Sequence, residues 1–355
     1  MQILITIILS FCVLFASNYW FKFCASKSKP SNVYTKICKN ILTPAIVLSF
    51  IGCTISYFID TKQADIIVPL SYWHIALFFS SAIALALLGK HISSNKLLFL
   101  LIFAICLLNT LLLPSEIDIT NGLLSPLVEK IILALIWSIF ATFYFVINGI
   151  DGLLTINSLS ICLGLIVITV IGIWPIAYSS YTAIFTAIFL ALSFFDRFPA
   201  KIRISKFQSQ WLGFIIGWLG TLAAIEGSGS CFIILSMYYI YETVIAIGKK
   251  ISFRKQYKTL ANNTFYSQVA NIGIPPQQIC TLTTKINMLL ILLACLQIHS
   301  PNQQTLMVVA FFTVFWIILK ITSPDKSNSH FLLTSNLISM YKNTKKDKNS
   351  TTKDD

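Results

Sequence analysis

Residues 131–154 read IILALIWSIFATFYFVINGIDGLL, and this stretch decides the fold. No residue from Ile131 to Ile147 is charged, and the run closes on a glycine-flanked carboxylate, Asp151. Extended back to Leu127, it reaches the ~20 mostly apolar residues that cross a bilayer's hydrocarbon layer as one helix. Similar stretches lie outward on both sides, at 3–23, 41–59, 66–88 and 97–113, and then at 156–174, 176–195, 210–225, 231–248, 286–298 and 305–322. Composition agrees with that pattern. The chain has 355 residues, 56% hydrophobic and 11% charged, with a mean hydropathy of +0.78. A soluble domain carries about 25% charged residues. Soluble globular, disordered, collagen-like and disulfide-scaffold classes are therefore excluded. Eleven spans would use ~220 residues and leave short loops. The expected fold is an all-α polytopic membrane protein of about eleven transmembrane helices. Residues 1–322 form a single transmembrane domain, and 323–355 form a C-terminal tail.

The net charge of +13 would suggest nucleic acid for a soluble protein. In a polytopic chain, Lys and Arg instead collect in cytoplasmic loops, so no nucleic-acid partner is expected. All 26 Lys and Arg except Lys62 and Lys130 fall in alternate segments: 22–40, 89–96, 148–155, 196–209, 249–285 and from Lys320 onward. The intervening loops carry Asp60, Asp65, Glu116, Asp118, Glu129 and Glu226. No Lys or Arg precedes the first stretch, while Lys22, Lys27, Lys29, Lys36 and Lys39 follow it. That order favours an uncleaved span with the N-terminus outside and the C-terminus cytosolic.

Smaller features fit the same picture. Cys12, Cys53, Cys106, Cys162, Cys231 and Cys295 lie inside apolar runs and read as free thiols acting as small hydrophobes. His74, His91, His299 and His330 have no metal-ligand spacing. Trp20, Trp73, Trp174, Trp211 and Tyr72 fall near span ends and read as interface anchors. In the tail, Phe331, Leu332, Leu333, Leu337, Ile338 and Tyr341 could lie on the membrane surface as an amphipathic helix. Residues 343–355 read as disordered. Pro275-Pro276 breaks the long inner segment 249–285.

Chemistry centres on Asn148-Gly149-Ile150-Asp151-Gly152-Leu153-Leu154. A carboxylate near the membrane is usually functional, glycines let a ligand approach the backbone, and Asp oxygens suit Mg²⁺ with its phosphates. A Gly-rich turn with Asp151 merely solvated is the competing reading.

This string resembles the Asp-Gly-Ile-Asp-Gly-Leu motif of the polyprenyl-phosphate N-acetylhexosamine-1-phosphate transferases. The likeness continues in order. Phe198-Pro199-Ala200-Lys201-Ile202 is similar to that family's Pro-Ala-Lys-Ile, and Leu212-Gly213-Phe214 to its Leu-Gly-Phe. Tyr241-Glu242-Thr243-Val244 with Lys249-Lys250 is similar to its Asp-Ala/Thr-x-x segment ending in Arg-Arg. Residues 261–268 sit where it has a His-Arg-Ser-His-x-Tyr-Gln run. The resemblance covers about residues 85–298. It implies ten or eleven spans and a cytosolic site in a bacterial inner membrane. It also implies transfer of a sugar 1-phosphate from a UDP-sugar to polyprenyl phosphate in cell-envelope glycan synthesis, with release of UMP. Asp151 would hold Mg²⁺ or orient substrate, Asn148 would orient the site, and Lys201, Arg203, Lys206 and Glu242 would line the substrates. Homo-oligomerisation is left open.

The sequence departs from the family at several positions. The family's Asp-Asp pair after the third span is replaced by Leu88-Gly89-Lys90-His91-Ile92-Ser93-Ser94. Asn148 stands for the first Asp of the central motif, and Asn262, Asn263, Thr264 and Phe265 stand for His-Arg-x-His. The family's Phe-Met-Gly-Asp is Arg203-Ile204-Ser205-Lys206, so a cation takes a metal-ligand position. Lys206 at ~5 Å from a divalent ion would oppose it by ~6–7 kcal/mol at an effective dielectric of ~20. Lys206 either replaces the metal's charge or, with Arg203, is an ordinary positive-inside residue. Lys201, Arg203 and Lys206 could hold a substrate phosphate or contact anionic membrane lipid at ~1 kcal/mol each. Glu242 is either a functional intramembrane carboxylate or the partner of Lys249 or Lys250. Two other functions compete: a non-catalytic relative that binds lipid phosphate or a partner, and a transporter.

Overall fold

The computed structural model describes residues 2–27, 47–55, 72–92, 94–113, 119, 123–172, 174–175, 178–252, 275–297 and 303–322. These residues are overwhelmingly helical, and no strand occurs among them. The helices are α1 (Gln2–Lys27), α2 (47–55), α3 (Tyr72–Leu88), α4 (Asn95–Leu111), α5 (Pro126–Phe143) and α6 (Leu153–Val170). They continue as α7 (Ser179–Asp196), α8 (Lys206–Ile225), α9 (Gly229–Leu235), α10 (Met237–Ser252), α11 (Pro276–Leu296) and α12 (Gln303–Thr322). The tail and the 261–268 motif lie outside the described residues.

Five helical segments are long and apolar enough to cross a membrane: Thr6–Cys24, Pro126–Ile147, Leu153–Val170, Ser179–Asp196 and Pro276–Leu296. A sixth span arises if α9 and α10 act together, although they meet at a 65° bend. The expected run 231–248 is thus a broken helix. At the break, Ser236 Oγ donates to the Phe232 carbonyl at 2.6 Å, and such side-chain competition for helical carbonyls accompanies bending. α11 begins ten residues before the expected apolar run. Pro276 occupies its first turn, where a missing N–H is harmless and the fixed φ suits a helix. The Pro-Pro pair therefore starts a helix. Its early turns are polar on one side, and Ile279, Thr283, Ile286 and Asn287 face inward.

α8 is the centre of the bundle. Every residue from Gln208 to Ala223 is buried, as expected for a helix surrounded by others. Its start is fixed by a capping box: the Ser205 hydroxyl accepts from Gln208 N–H at 3.3 Å, and the Gln208 side chain accepts from Ser205 N–H at 2.7 Å. Glycines let neighbours close in. A Cβ on Gly213 would stand 2.4 Å from Tyr144 Cβ, and one on Gly217 would stand 2.3 Å from Trp137 Cδ1. Small residues allow this approach where water supplies no drive for association. Phe78 of α3 stacks on Trp218 at 4.1 Å, and Trp137 of α5 stacks on Phe214 at 4.8 Å.

Indole nitrogens join this packing. Trp137 Nε1 donates to the Phe214 carbonyl and Trp211 Nε1 to the Ala82 carbonyl, at 2.8 and 3.0 Å. Trp211 is 4% exposed and Trp174 is also buried, which corrects their reading as interface anchors. Trp73, 78% exposed, remains available for that role. Cys53, Cys106, Cys162 and Cys231 are buried free thiols, while Cys12 is exposed and Cys295 half-buried. Elsewhere Thr6 of α1 hydrogen-bonds Ser180 of α7 at 3.0 Å, and Asn109 of α4 donates to Ser81 of α3 at 3.1 Å.

Candidate functional site

The motif around Asp151 forms a turn between α5 and α6. A short 3-10 turn, Tyr144–Ile147, ends α5. Gly152 then takes φ 87°, a left-handed conformation that glycine adopts without strain. The chain reverses there and enters α6.

Asn148 ties this turn to the connection between α7 and α8. Its Nδ2 donates to the Ile204 carbonyl at 2.8 Å and to Ser209 Oγ at 2.7 Å. Both amide hydrogens are thereby used to hold the turn against this connection. Asp151 faces the same connection. Its Oδ2 accepts from the Ala200 N–H at 3.2 Å, and its carbonyl accepts from the Cys280 thiol of α11 at 3.5 Å.

A second carboxylate stands beside Asp151. Asp196, the last residue of α7, is 4% exposed. Its Oδ2 accepts from Thr155 Oγ1 of α6 at 2.9 Å. Its backbone carbonyl oxygen lies 3.7 Å from the position a Cβ on Gly152 would take, so the end of α7 packs against the turn that carries Asp151. Asp196 was absent from the expected site because the apolar run 176–195 stops one residue short of it. The signal was available: a carboxylate where an apolar run meets the membrane edge, the same feature that marks Asp151.

The basic residues lie on the adjoining connection. Lys201 and Ile202 N–H groups both donate to the Phe195 carbonyl, at 2.8 and 3.1 Å, which folds residues 197–205 back over the end of α7. The Phe198–Pro199 peptide bond is cis. Lys201 and Arg203 are exposed. Lys206 Nζ donates to Asn95 Oδ1 at the start of α4, at 2.8 Å, and lies 4.4 Å from the Phe145 ring centroid, within cation–π range. Its ammonium therefore helps join α4, α5 and α8 at this end.

Glu242 is fully buried on α10. Its Oε1 accepts from the Tyr238 hydroxyl, one turn earlier, at 3.0 Å. The structure thus brings Asn148, Asp151 and the 197–206 connection together and adds Asp196. Glu242 belongs to the neighbouring α10 packing.

Among the described residues, no group of three or more His, Cys, Asp or Glu could hold a metal ion. Asp151 and Asp196 are the two carboxylates at this turn, with hard oxygen donors of the kind Mg²⁺ takes. This cation is usually bound by one or two carboxylates together with substrate phosphates, rather than by a protein cage. No protein-family model matches this chain, and no curated protein matches it.

Proposed function

We propose that this chain is a multi-pass membrane glycosyl-phosphate transferase, a divergent relative of the polyprenyl-phosphate sugar-1-phosphate transferases. The single observation that carries the reading is the packing of the Asp151-Gly152 turn against the end of α7 at Asp196, beside the basic 197–206 connection. Phosphoryl transfer needs little covalent help from protein. It needs two phosphate groups held in line and their charge neutralised. Asp151 and Asp196 would hold Mg²⁺, which supplies that neutralisation when bound to the donor diphosphate. Lys201 and Arg203 are exposed and offer cationic contacts to phosphate oxygens. Asn148 keeps the turn fixed so that Asp151 stays aimed. An oxygen of polyprenyl phosphate attacks the sugar-bearing phosphorus of the UDP-sugar. The bond to the bridging oxygen breaks, and UMP leaves with the electron pair.

In this proposal about eleven spans cross a bacterial inner membrane, with the site on the cytosolic face. The alternation of Lys and Arg between loops supports that orientation. The test is transfer of labelled sugar phosphate from a UDP-sugar to polyprenyl phosphate by the purified chain, with and without Mg²⁺. Metal-dependent product with release of UMP is the expected result. A second reading, a non-catalytic relative that retains lipid-phosphate binding, is favoured by the engagement of Lys206 with Asn95 and Phe145. It predicts no turnover with any divalent metal while polyprenyl phosphate still binds.

A further inference from the structure

The 3-10 turn that follows α3, Gly89–His91, is pressed onto the start of α8. A Cβ on Gly89 would stand 2.2 Å from Phe207 Cε2. One residue earlier, Lys206 Nζ donates to Asn95 Oδ1 at the start of α4. Two segments far apart in sequence, 88–96 and 197–206, therefore meet at one corner of the bundle. Contacts of Lys206 with Phe145 and of Asn148 with Ile204 put this corner at the same end as Asp151. The two segments hold Lys90, Lys96, Arg197, Lys201, Arg203 and Lys206, and no Asp or Glu. The adjacent Asp196 is buried against Thr155, so it does not offset this charge at the surface. Lys206 is engaged by Asn95 and Phe145. Lys96 and Arg203 are exposed, and among the described residues neither side chain has a hydrogen-bond or ion-pair partner.

The same corner is edged with bare hydrocarbon. Leu97 and Leu100, one turn apart on α4, are 59% and 57% exposed, and Leu87, Leu88 and Phe198 are exposed as well. A contiguous apolar patch of this kind marks an interaction surface. Lys96 immediately precedes Leu97, so its charge lies where the apolar flank of α4 ends. A lysine in that position lays its stem on apolar surface and keeps its ammonium among polar groups. The partner that satisfies both features is one molecule with an anionic head and apolar chains. An acidic peptide or a free phosphate would answer the charge and leave the leucines bare. A phospholipid that carries its own ammonium would bring less net charge to Lys96 and Arg203.

We propose that this corner is a contact for anionic phospholipid, with Lys96 and Arg203 attracting the headgroup phosphate and acyl chains lying against Leu97 and Leu100. The contact goes beyond the proposed transfer reaction. Lipid retention and sugar-phosphate transfer are measured separately, and either can fail alone. The experiment is native mass spectrometry of the full chain, released from micelles with equal phosphatidylglycerol and phosphatidylethanolamine of identical chains. The first lipid retained should be phosphatidylglycerol by about fivefold, the factor one basic residue contributes near anionic headgroups. Lys96→Gln and Arg203→Gln should each cut that preference severalfold without changing the melting temperature. Lys285→Gln, at an exposed lysine of α11, should leave it as it is. Millimolar inorganic phosphate should not displace the bound lipid. Equal retention of the two lipids by the unaltered protein overturns the proposal. So does a preference that survives both Lys96→Gln and Arg203→Gln, an equal fall in Lys285→Gln, or displacement by inorganic phosphate.

Discussion

Gly152 sits at φ 87° with its nearest neighbour 3.5 Å from where a Cβ would stand. Space is therefore available, and the backbone alone resists substitution. Gly152→Ala is expected to destabilise the fold by about 1–2 kcal/mol, the strain of a left-handed non-glycine residue, read as a lowered melting temperature in detergent. Asp151 and Asp196 make a different demand. An amide at 196 still accepts from Thr155 but removes a negative charge. Asp196→Asn and Asp151→Asn should each leave the melting temperature nearly unchanged. Each should lower Mg²⁺-dependent transfer by about 100-fold, the scale of losing part of a charge-stabilising metal site. Unchanged transfer in Asp196→Asn would remove Asp196 from the site. Asp151 and its glycines were legible from sequence because glycine, carboxylate and an apolar run together make a recognisable string. Asp196 carried the same signal at the end of an apolar run, but its link to Thr155 was not legible, because that residue is distant in sequence. The contacts of Lys206 to Asn95 and Phe145 were hidden for the same reason.

Among the helices, α8 shows how small residues set spacing. Gly213 meets Tyr144 Cβ at 2.4 Å and the Ala141 Cα at 3.1 Å, atoms that move only if the helices part. Gly164 of α6 instead meets the Leu235 methyl groups, Cδ2 at 2.4 Å and Cδ1 at 2.9 Å, which a rotamer change can shift. Gly213→Ala should therefore destabilise by about 1–3 kcal/mol, as overpacking does, and Gly164→Ala by clearly less. Equal melting temperatures for the two variants would show that the spacing of α8 does not depend on Gly213. Ser205→Ala, which removes the cap of α8, should destabilise by about 1 kcal/mol. The apolar runs foretold most helices to within a few residues, since hydrocarbon-length segments carry a strong compositional signal. The 65° break between α9 and α10 left no such signal, because serine is common in unbroken helices. The early turns of α11 were also missed. They contain Gln277, Gln278, Thr281 and Lys285, and their burial depends on which neighbours they meet rather than on their own hydropathy.

Over the whole molecule, the asymmetry of Lys and Arg is the feature from which the proposed direction is argued. A reporter fused after Thr322 should be active only on the cytosolic side. Activity on the opposite side would invert the bundle and overturn the proposed cytosolic placement of the Asp151 end. An all-helical fold with membrane-length apolar helices was legible at this scale, whereas the helix that occupies the middle was not. α8 has Gln208 and Gln210 in its first turns and looks like one more modest span in sequence. Its position matters during synthesis. A helix enclosed by protein along its length has no comfortable resting place among lipid tails, so the insertion machinery has to pass it directly to partners, and α9 to α12 are made after it. A chain ending at Ser230 should leave α8 without those later partners and be cleared by membrane proteases, while the complete chain accumulates.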